Sequence, residues 1–396
     1  MKKLISLISA FAVAAFGAVP VISAGEDGGY SFEYSVNDSG TAVITGGTGS
    51  GSVLNIPSQI DGLTVTEIGE QAFSGLGSLS TVVLPDSITK IGDLAFTVCP
   101  NLEKFIVDSG NQNFSSVGGS LFSGSQLVVY AGGNSAVLPD NVRSIRKGAF
   151  RGKSGLTSVS LPDTLLEIGD SAFSGCTSLT KIDIPDSVNY IGKSCFLSCT
   201  ALEKATLGTD VIEIPEDCFY SCISLNNVSI PEGVVRIGSD AFYCCSNLTG
   251  VYIPQSVTSI GSNAIGRRYI RVGGSSENIP DFRITGEANS AVQNYAESYG
   301  INFTIGEIPL GDINGDYIVN SIDASAVLTD YAWVSTGRDS SFNGWKVRTA
   351  DFNCDGIVNS IDASAVLTFY ARNQADKNWQ QLGVSVINCF FRQNVT

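Results

Sequence analysis

Residues 168–190 read IGDSAFSGCTSLTKIDIPDSVNY, and the next 23 residues, 191–213, repeat the pattern as IGKSCFLSCTALEKATLGTDVIE. Each copy begins with a six-residue motif that ends in Ala-Phe or Cys-Phe. The interval between motifs is 23 residues throughout, except between Phe96 and Phe150, where a longer segment surrounds Leu121 and Phe122. A fixed period of this length is typical of repeat proteins. The sixth position of the motif is occupied in turn by Phe73, Phe96, Phe150, Phe173, Phe196, Phe219, Phe242 and Ile265.

The pattern inside one period predicts a short strand in every repeat. Leu179, Ile182 and Ile184 alternate with polar residues, and Pro185 ends the segment. A single coil of this kind cannot bury its own apolar side, but stacked coils form a continuous core in which equivalent residues lie in ladders. About ten coils, spaced by about 4.8 Å, predict a rod or arc on the order of 50 Å long. We therefore predict a mainly β solenoid of about 23-residue repeats.

These repeats resemble the BspA-type leucine-rich repeats of bacterial surface proteins, over about residues 26–306. The resemblance implies an N-terminal β cap at residues 25–52, a leucine-rich repeat solenoid at residues 53–268 and a C-terminal cap at residues 269–306. The closing cap is expected to include a short helix near Ala291–Tyr299. Such a likeness predicts the fold, whereas arrays of this family serve adhesion and many other binding tasks.

The outward positions of the array do not identify its ligand. They are mostly polar, and all three tryptophans lie beyond the array. Tyr220, Tyr243 and Tyr252 are candidates for a small aromatic patch, with solvated or half-packed tyrosines as the alternative.

Seven cysteines occupy two positions of the repeat. Ten cysteines would be compatible with disulfides if the chain is exported. Cysteines 23 residues apart would equally well stack as small buried apolar side chains, and we favour this buried ladder. The ladder runs along the rod instead of converging, which argues against a metal cluster. Cys99, Cys176, Cys199, Cys222 and Cys245 share the first position, and Cys195 and Cys218 replace the alanine of the motif.

The N-terminus has the layout of a secretory signal peptide, residues 1–24. Lys2 and Lys3 precede an apolar run from Leu4 to Ile22, and cleavage is predicted after Ala24. A retained membrane anchor is the alternative, and no other stretch is long and apolar enough to span a bilayer. We expect an extracellular or cell-surface protein without membrane insertion after signal cleavage.

Charge and composition exclude several function classes. The chain carries 23 Lys and Arg against 38 Asp and Glu, a formal charge of −15, and has no histidine. The acidic balance disfavours nucleic acid and anionic membranes as partners. The absence of histidine removes His-activated nucleophiles, His general bases and His metal ligands. A hydrolase that uses a carboxylate pair remains compatible with the composition.

Two near-identical segments follow the array. Residues 312–332 read DINGDYIVNSIDASAVLTDYA, and residues 351–371 read DFNCDGIVNSIDASAVLTFYA. Each places oxygen ligands at positions 1, 3, 5, 7, 9 and 12 of a 12-residue loop, which is the spacing of a calcium loop. Two sets in matching register predict two Ca²⁺ sites, with metal-free turns as the alternative. The predicted ligands are Asp312, Asn314, Asp316, Ile318 (carbonyl), Asn320 and Asp323, and then Asp351, Asn353, Asp355, Ile357 (carbonyl), Asn359 and Asp362.

The duplicated loops resemble a type I dockerin, the docking domain of cellulosome subunits, over about residues 310–372. The resemblance implies a small α-helical domain with two EF-hand-like loops, which we assign to residues 307–372. It also implies calcium-dependent folding and binding to a cohesin domain of a scaffoldin. The first loop departs from the pattern, because Tyr317 stands at position 6 where the second loop has Gly356. Position 6 favours a positive φ, so we expect the first site to be weaker.

The helix after each loop is predicted to carry the partner surface. An apolar stripe with small neighbours suits a protein-binding helix face. Some of these residues must instead pack the two helices together, and Ser325 and Ser364 with Ala324 and Ala363 are the better candidates for contact. Because the halves match, the partner is expected to bind in two orientations related by a half-turn. The candidate residues are Ser321, Ile322, Ala324, Ser325, Val327 and Leu328, and Ser360, Ile361, Ala363, Ser364, Val366 and Leu367.

The C-terminal tail, residues 373–396, has no counterpart in the dockerin pattern, and its role is unknown. Cys389 in the tail is a candidate to pair with Cys354, which stands where the first loop has Gly315.

Taken together, these patterns predict a non-catalytic secreted subunit. It would dock to a scaffoldin cohesin and present the solenoid for protein, cell-surface or substrate binding in a polysaccharide-degrading complex. One alternative is a stand-alone surface adhesin whose calcium loops only stabilise the C-terminus. Another is a glycoside hydrolase with a carboxylate pair on the array, although repeats and caps account for nearly all of residues 26–306.

Overall fold

The computed structural model describes residues 24–27, 29–270, 275–305, 311–313, 319–338, 340, 342, 350–352 and 357–375. The predicted signal peptide lies outside these residues except for Ala24, and the predicted tail lies outside them except for residues 373–375.

Strands make up nearly all of the regular structure before residue 306. The opening strands are β1 Ala24–Asp27, β2 Tyr30–Val36, β3 Ala42–Gly49, β4 Val53–Asn55, β5 Gln59–Ile60, β6 Leu63–Ile68, β7 Thr81–Leu84, β8 Lys90–Ile91, β9 Lys104–Val107, β10 Ser115–Val117, β11 Ser120–Ser123 and β12 Gln126–Val129. The middle strands are β13 Ser135–Val137, β14 Ser144–Ile145, β15 Ser158–Ser160, β16 Glu167–Ile168, β17 Lys181–Asp183, β18 Tyr190–Ile191, β19 Lys204–Thr206, β20 Glu213–Ile214, β21 Asn227–Ser229 and β22 Arg236–Ile237. The closing strands are β23 Gly250–Tyr252, β24 Ser259–Ile260, β25 Arg267–Tyr269, β26 Ser276–Asn278, β27 Arg283–Gly286 and β28 Asn302–Ile305.

Three helices complete the described secondary structure. They are α1 Ala291–Tyr299, α2 Ser321–Ser335 and α3 Ser360–Ala375. The first lies where the sequence predicts a short helix. None of the helices in the described ranges is both long and apolar enough to cross a bilayer.

The array is a β-solenoid of about 11 turns, which confirms the predicted fold class. Neighbouring coils pair in parallel and in the register of the 23-residue period, so that Ile168 of β16 lies beside Ile191 of β18. An antiparallel hairpin of β2 and β3 opens the array. The long interval between repeats holds another antiparallel segment, β10–β11–β12, whose last strand rejoins the parallel ladder at β14.

Stacked aromatic rings form the centre of the core. Phe173, Phe196 and Phe219 are completely buried, and their ring centroids lie 5.3 and 5.2 Å apart. Tyr130, from the irregular segment, continues this stack at 4.6 Å from Phe150, although the sequence motif is absent there. Residues that are 23 positions apart in the sequence therefore stack on one another in the core.

The glycine of the Ile-Gly motif lies where neighbouring coils approach each other closely. Gly192 donates its N–H to the carbonyl of Ile168 at 2.7 Å, and a Cβ at Gly192 would overlap the backbone nitrogen of Asp170. Pro215 takes this position in the next coil, where it has no N–H to donate and would bring a ring toward the preceding coil. The paired strands of the ladder break at this point, since β18 and β20 belong to separate sheets.

Gly192→Ala is expected to lower the free energy of unfolding of the array by about 2–3 kcal/mol, because the added methyl group forces two coils apart. The matched control is Gly77→Ala, since a Cβ at Gly77 meets no atom within 4 Å. Urea denaturation followed by far-UV circular dichroism measures both. Equal midpoints for the two variants would contradict the close-approach argument.

Candidate metal loops and helix faces

The side chain of Asp323 joins the beginning of the first loop to the start of α2. Its Oδ2 accepts a hydrogen bond from the N–H of Asn320 at 2.8 Å, and its Oδ1 accepts one from the N–H of Ile313 at 2.8 Å. Asn320 in turn caps the helix, because its Oδ1 accepts from the N–H of Ile322 at 2.6 Å. This reciprocal capping box holds positions 9 and 12 of the loop together.

The second loop repeats this arrangement at α3. The N–H of Asn359 donates to Oδ2 of Asp362 at 2.9 Å, and the N–H of Ile361 donates to Oδ1 of Asn359 at 2.7 Å. The Nδ2 of Asn359 also donates to the carbonyl of Ile357 at 3.2 Å. Equivalent residues of the two loops therefore take equivalent roles at the helix start.

The residues of the loops suit a hard divalent cation. All described candidates offer oxygen, and the carboxylates of Asp312, Asp323 and Asp362 have no exposed surface. Buried carboxylates need compensating charge or donors, and calcium prefers a set of six to eight oxygens. The described candidates are Asp312, Asn320, Asp323, Asp351, Ile357, Asn359 and Asp362, whereas Asn314, Asp316, Ile318, Asn353 and Asp355 lie outside the described residues.

Calcium binding by the loops and the unequal strength of the two sites both stay predictions. Within the described part of the chain, no three carboxylate, thiol or imidazole side chains come together as a metal site. Tyr317 and Gly356 lie outside that part, so the unequal strength of the two sites remains an expectation from sequence.

The inner faces of α2 and α3 pack against each other and against the loops. One apolar cluster joins Ile313 and Val327 to Ala350 and Ala363, and a second joins Val319 and Ala324 to Phe352 and Val366. This burial corrects the expectation that Ala324 and Ala363 face a partner, because each is only 1% exposed. Val327 and Val366 are also completely buried, so these four residues hold the two helices together.

The remaining candidates lie on the outer faces of the two helices, and equivalent residues of α2 and α3 are exposed to a similar extent. Ile322 and Leu328 on α2 are 55% and 43% exposed, and Ile361 and Leu367 on α3 are 58% and 41% exposed. The serines between them are exposed and bond along the helix. Ser325 Oγ donates to the carbonyl of Ser321 at 2.8 Å, and Ser364 Oγ donates to the carbonyl of Ser360 at 3.0 Å. Each helix therefore offers the same outward surface.

One pair of residues, which the sequence patterns did not single out, breaks this symmetry. Asp330 and Phe369 occupy equivalent positions of the two helices. Asp330 is 3% exposed and accepts a hydrogen bond from Ser340 Oγ at 2.6 Å, whereas the ring of Phe369 lies 5.9 Å from that of Phe352. Residues 321–332 and 360–371 are otherwise identical, so the change from Asp330 to Phe369 is the sequence feature that could have indicated this difference.

The tyrosines of the array form at most a small patch. The ring centroids of Tyr220 and Tyr243 lie 5.3 Å apart, but Tyr243 is only 5% exposed, and its hydroxyl shares a hydrogen bond with Ser276 at 2.6 Å.

A groove of about 410 Å³ between the last coil and α1 has no Asp or Glu among its lining residues. Elsewhere on the array, burial, with added repulsion from Asp240 and Glu216, raises the pKa of Asp217.

The cysteine positions of the repeat form a buried column of thiols, which agrees with the ladder interpretation. All seven repeat cysteines are unpaired and buried, and Cys244 is unpaired and half-buried. Cys354 and Cys389 lie outside the described residues, so their pairing remains a hypothesis.

Comparison with known proteins agrees with both parts of the chain. The BspA type leucine rich repeat region matches in six copies over residues 54–150 and 143–270, and the dockerin type I domain matches residues 310–368. No curated protein matches the chain.

Several solved leucine-rich repeat proteins are similar to the array. A T. pallidum leucine rich repeat protein is 30% identical over 55% of this chain and 87% of its own, with a TM-score of 0.34. A protein from Eubacterium ventriosum is 20% identical over 61% of this chain and 94% of its own, with a TM-score of 0.42. One from Bacteroides ovatus is 22% identical over 69% of this chain and 65% of its own, with a TM-score of 0.38.

The family matches extend over more than half of the sequence and coincide with the solenoid and with the paired loops described above. The chain therefore belongs to the BspA-type leucine-rich repeat family, and it carries a type I dockerin domain at residues 310–368.

Proposed function

We propose that this protein is a non-catalytic, secreted subunit that docks through its dockerin domain to a cohesin domain of a scaffoldin. The solenoid would then be displayed in an extracellular, polysaccharide-degrading complex, where it binds a protein, a cell surface or a substrate. The observation that supports docking best is the pair of matching outward helix faces, each set next to its own loop. A partner-binding face of this kind needs exposed apolar residues with small neighbours, and both helices supply them.

Calcium has a structural role in this proposal. Asp312, Asp323, Asp351 and Asp362 are the described carboxylates that would hold it, together with Asn320, Asn359 and the carbonyl of Ile357. Bound calcium supplies positive charge to buried carboxylates. Asp323 and Asp362 also accept hydrogen bonds from the helix starts, so the loops orient the helices whose outer faces meet the partner.

Binding of the full chain to a panel of cohesins, measured by calorimetry in calcium and then in chelator, tests the proposal. Tight binding that is lost in chelator supports it. If calcium still binds and no cohesin is recognised, docking is wrong, and the stand-alone adhesin becomes the better explanation.

The matching faces predict how substitutions act. Leu328→Asp alone or Leu367→Asp alone should weaken cohesin binding by about twofold, because each removes one of two equivalent orientations. The double variant should lose more than about a hundredfold, since both orientations then bury a charge at the interface. Val137→Asp is the control, as Val137 is an apolar residue of the array that is 77% exposed.

The fold of each variant can be verified on the same samples. All three tryptophans lie at or beyond Trp333, so calcium-dependent tryptophan fluorescence reports on the C-terminal region alone. If one single substitution abolishes binding while this signal is retained, the two orientations are not equivalent, and the dual-binding prediction is wrong.

A further inference from the structure

The core of the solenoid contains a second ladder beside the phenylalanines, made of thiols that donate hydrogen bonds. Each of five cysteines reaches back to the carbonyl of the motif phenylalanine one coil earlier. The bonds run from Cys99 to Phe73 and from Cys176 to Phe150 at 3.3 Å, and from Cys199 to Phe173, Cys222 to Phe196 and Cys245 to Phe219 at 3.2 Å.

The same carbonyls are already used within their own coil. The carbonyl of Phe196 accepts from the N–H of Cys199 at 3.1 Å and also from the Sγ of Cys222 at 3.2 Å. Phe173 and Phe219 have the corresponding pairs of partners. The thiol proton therefore links one coil to the next inside the core, where the side chains involved have 0% exposure.

Oxidation removes the protons that make these hydrogen bonds. A disulfide between Cys199 and Cys222 would remove both thiol protons and leave sulfur lone pairs facing carbonyl lone pairs about 3.2 Å away. The carbonyl would keep its backbone N–H partner but lose the thiol donor, in a place where water does not reach to replace it. The rings of Phe173, Phe196 and Phe219 stack with centroid distances of 5.3 and 5.2 Å. This packing leaves the coils little freedom to move apart and relieve the contact between sulfur and carbonyl oxygen.

We propose that the array stays folded only while its ladder cysteines are reduced. The ladder cysteines are Cys99, Cys176, Cys199, Cys222 and Cys245. A chain in which they are oxidised cannot form the solenoid. This inference rests on the thiol geometry and does not depend on docking. It means that the array keeps its binding surface in reducing surroundings and loses it as a unit when a disulfide oxidant is present.

The chemistry is a thiol–disulfide exchange with a small disulfide such as oxidised glutathione. Two cysteine thiols give up two protons and two electrons and form one Sγ–Sγ bond, while the S–S bond of the oxidant breaks and yields two reduced thiols. Because the ladder thiols are buried, the exchange must proceed through opened coils. Once one thiol has reacted, the coil cannot close again, and its neighbours become accessible.

The half-buried Cys244 provides a control within the same molecule. Its sulfur accepts a hydrogen bond from the N–H of Tyr269 at 3.3 Å and does not belong to the ladder. We expect Cys244 to react with the oxidant while the array stays folded. The ladder thiols should react more than about a thousandfold more slowly, because opening constants of stable domains are on the order of 10⁻³ or smaller.

The test exposes the full-length chain to oxidised glutathione and follows it by circular dichroism and by peptide mass mapping of every cysteine. The expected result is two populations, one folded with reduced ladder thiols and one unfolded with all of them modified. Reduction with dithiothreitol should restore the folded signal.

A folded array that carries a disulfide or a glutathione adduct at Cys199 or Cys222 would overturn the proposal. So would partial modification of the ladder with unchanged circular dichroism. The Cys244→Ala variant must retain the slow, all-or-none loss of signal. If the loss disappears in that variant, the effect arises at Cys244, and the ladder has no such role.

Discussion

Raising the pH from 9 to 10 is expected to destabilise the array by about 1 kcal/mol for each buried thiol, which over the ladder is a large part of the stability of a domain. Burial raises the pKa of all seven repeat cysteines above the ordinary value, to about 12 for Cys176 and Cys222. Well below pH 9 the thiols are protonated in both states, so their contribution is fully present. Above pH 9 the unfolded chain ionises and the folded chain does not, so stability falls by about 1.4 kcal/mol per thiol and pH unit.

One buried lysine acts in the opposite direction. Lys153 stands at the cysteine position of its coil, is 7% exposed, and donates to the carbonyl of Leu102 at 2.6 Å. Burial lowers the pKa of Lys153 to about 8, so between pH 8 and its ordinary value near 10.5 the unfolded chain binds a proton that the folded chain does not. This single group raises stability in that window, but seven thiols outweigh it above pH 9.

Urea unfolding at a series of pH values, in the presence of a reductant and followed by circular dichroism, measures the slope. The matched variant replaces Cys199 and Cys222 with alanine. It should be less stable than the natural chain at pH 7 and yet lose stability less steeply above pH 9, since unfolding then releases two fewer protons. A natural chain whose stability is level from pH 8.5 to 10 would contradict the buried thiol ladder.

The second large effect concerns calcium, and it rests on the proposed function. Asp362→Asn should reduce the calcium-dependent stabilisation of the C-terminal region by about 4 kcal/mol when calcium exceeds the dissociation constant about a thousandfold. The asparagine keeps an oxygen that can accept from the N–H of Asn359, so the helix cap is largely retained while the charged ligand is lost. Tryptophan fluorescence during urea unfolding, with calcium and with chelator, isolates the metal-dependent part.

Asp323→Asn is the matched variant, because it occupies the same position of the first loop. It should have the smaller effect, since Tyr317 is expected to weaken the first site. Calorimetry should count two calcium ions per natural chain and one per variant. A count of two in both variants would show that these carboxylates are not ligands.

The period of the solenoid could be predicted from the sequence because every coil uses the same residue types at the same positions. A phenylalanine, a glycine and a strand recur every 23 residues, and a side chain that cannot be buried within its own coil must meet its equivalent in the next. The same logic predicted the thiol ladder. The paired loops were readable because the spacing of oxygen-bearing residues and helix capping are local properties of 12 residues.

Other features depend on contacts between residues far apart in sequence. Tyr130 completes the aromatic stack without the motif, because the irregular segment folds back as a hairpin and presents a ring at the right height. Ala324 and Ala363 were expected at a partner surface and are buried, since the two helices approach through their smallest residues. No pattern within one helix distinguishes an inner from an outer small residue.

By itself, the sequence determined the solenoid, its period, the duplicated loops and the helices that follow them, because each is encoded within one or two repeats. Only the tertiary structure decided which helix face is free, that Asp330 is buried, and that the cysteine thiols donate to carbonyls of the preceding coil. The physical reason is that burial and hydrogen bonding between coils are set by the three-dimensional stacking of many repeats, whereas local spacing records only what one repeat needs.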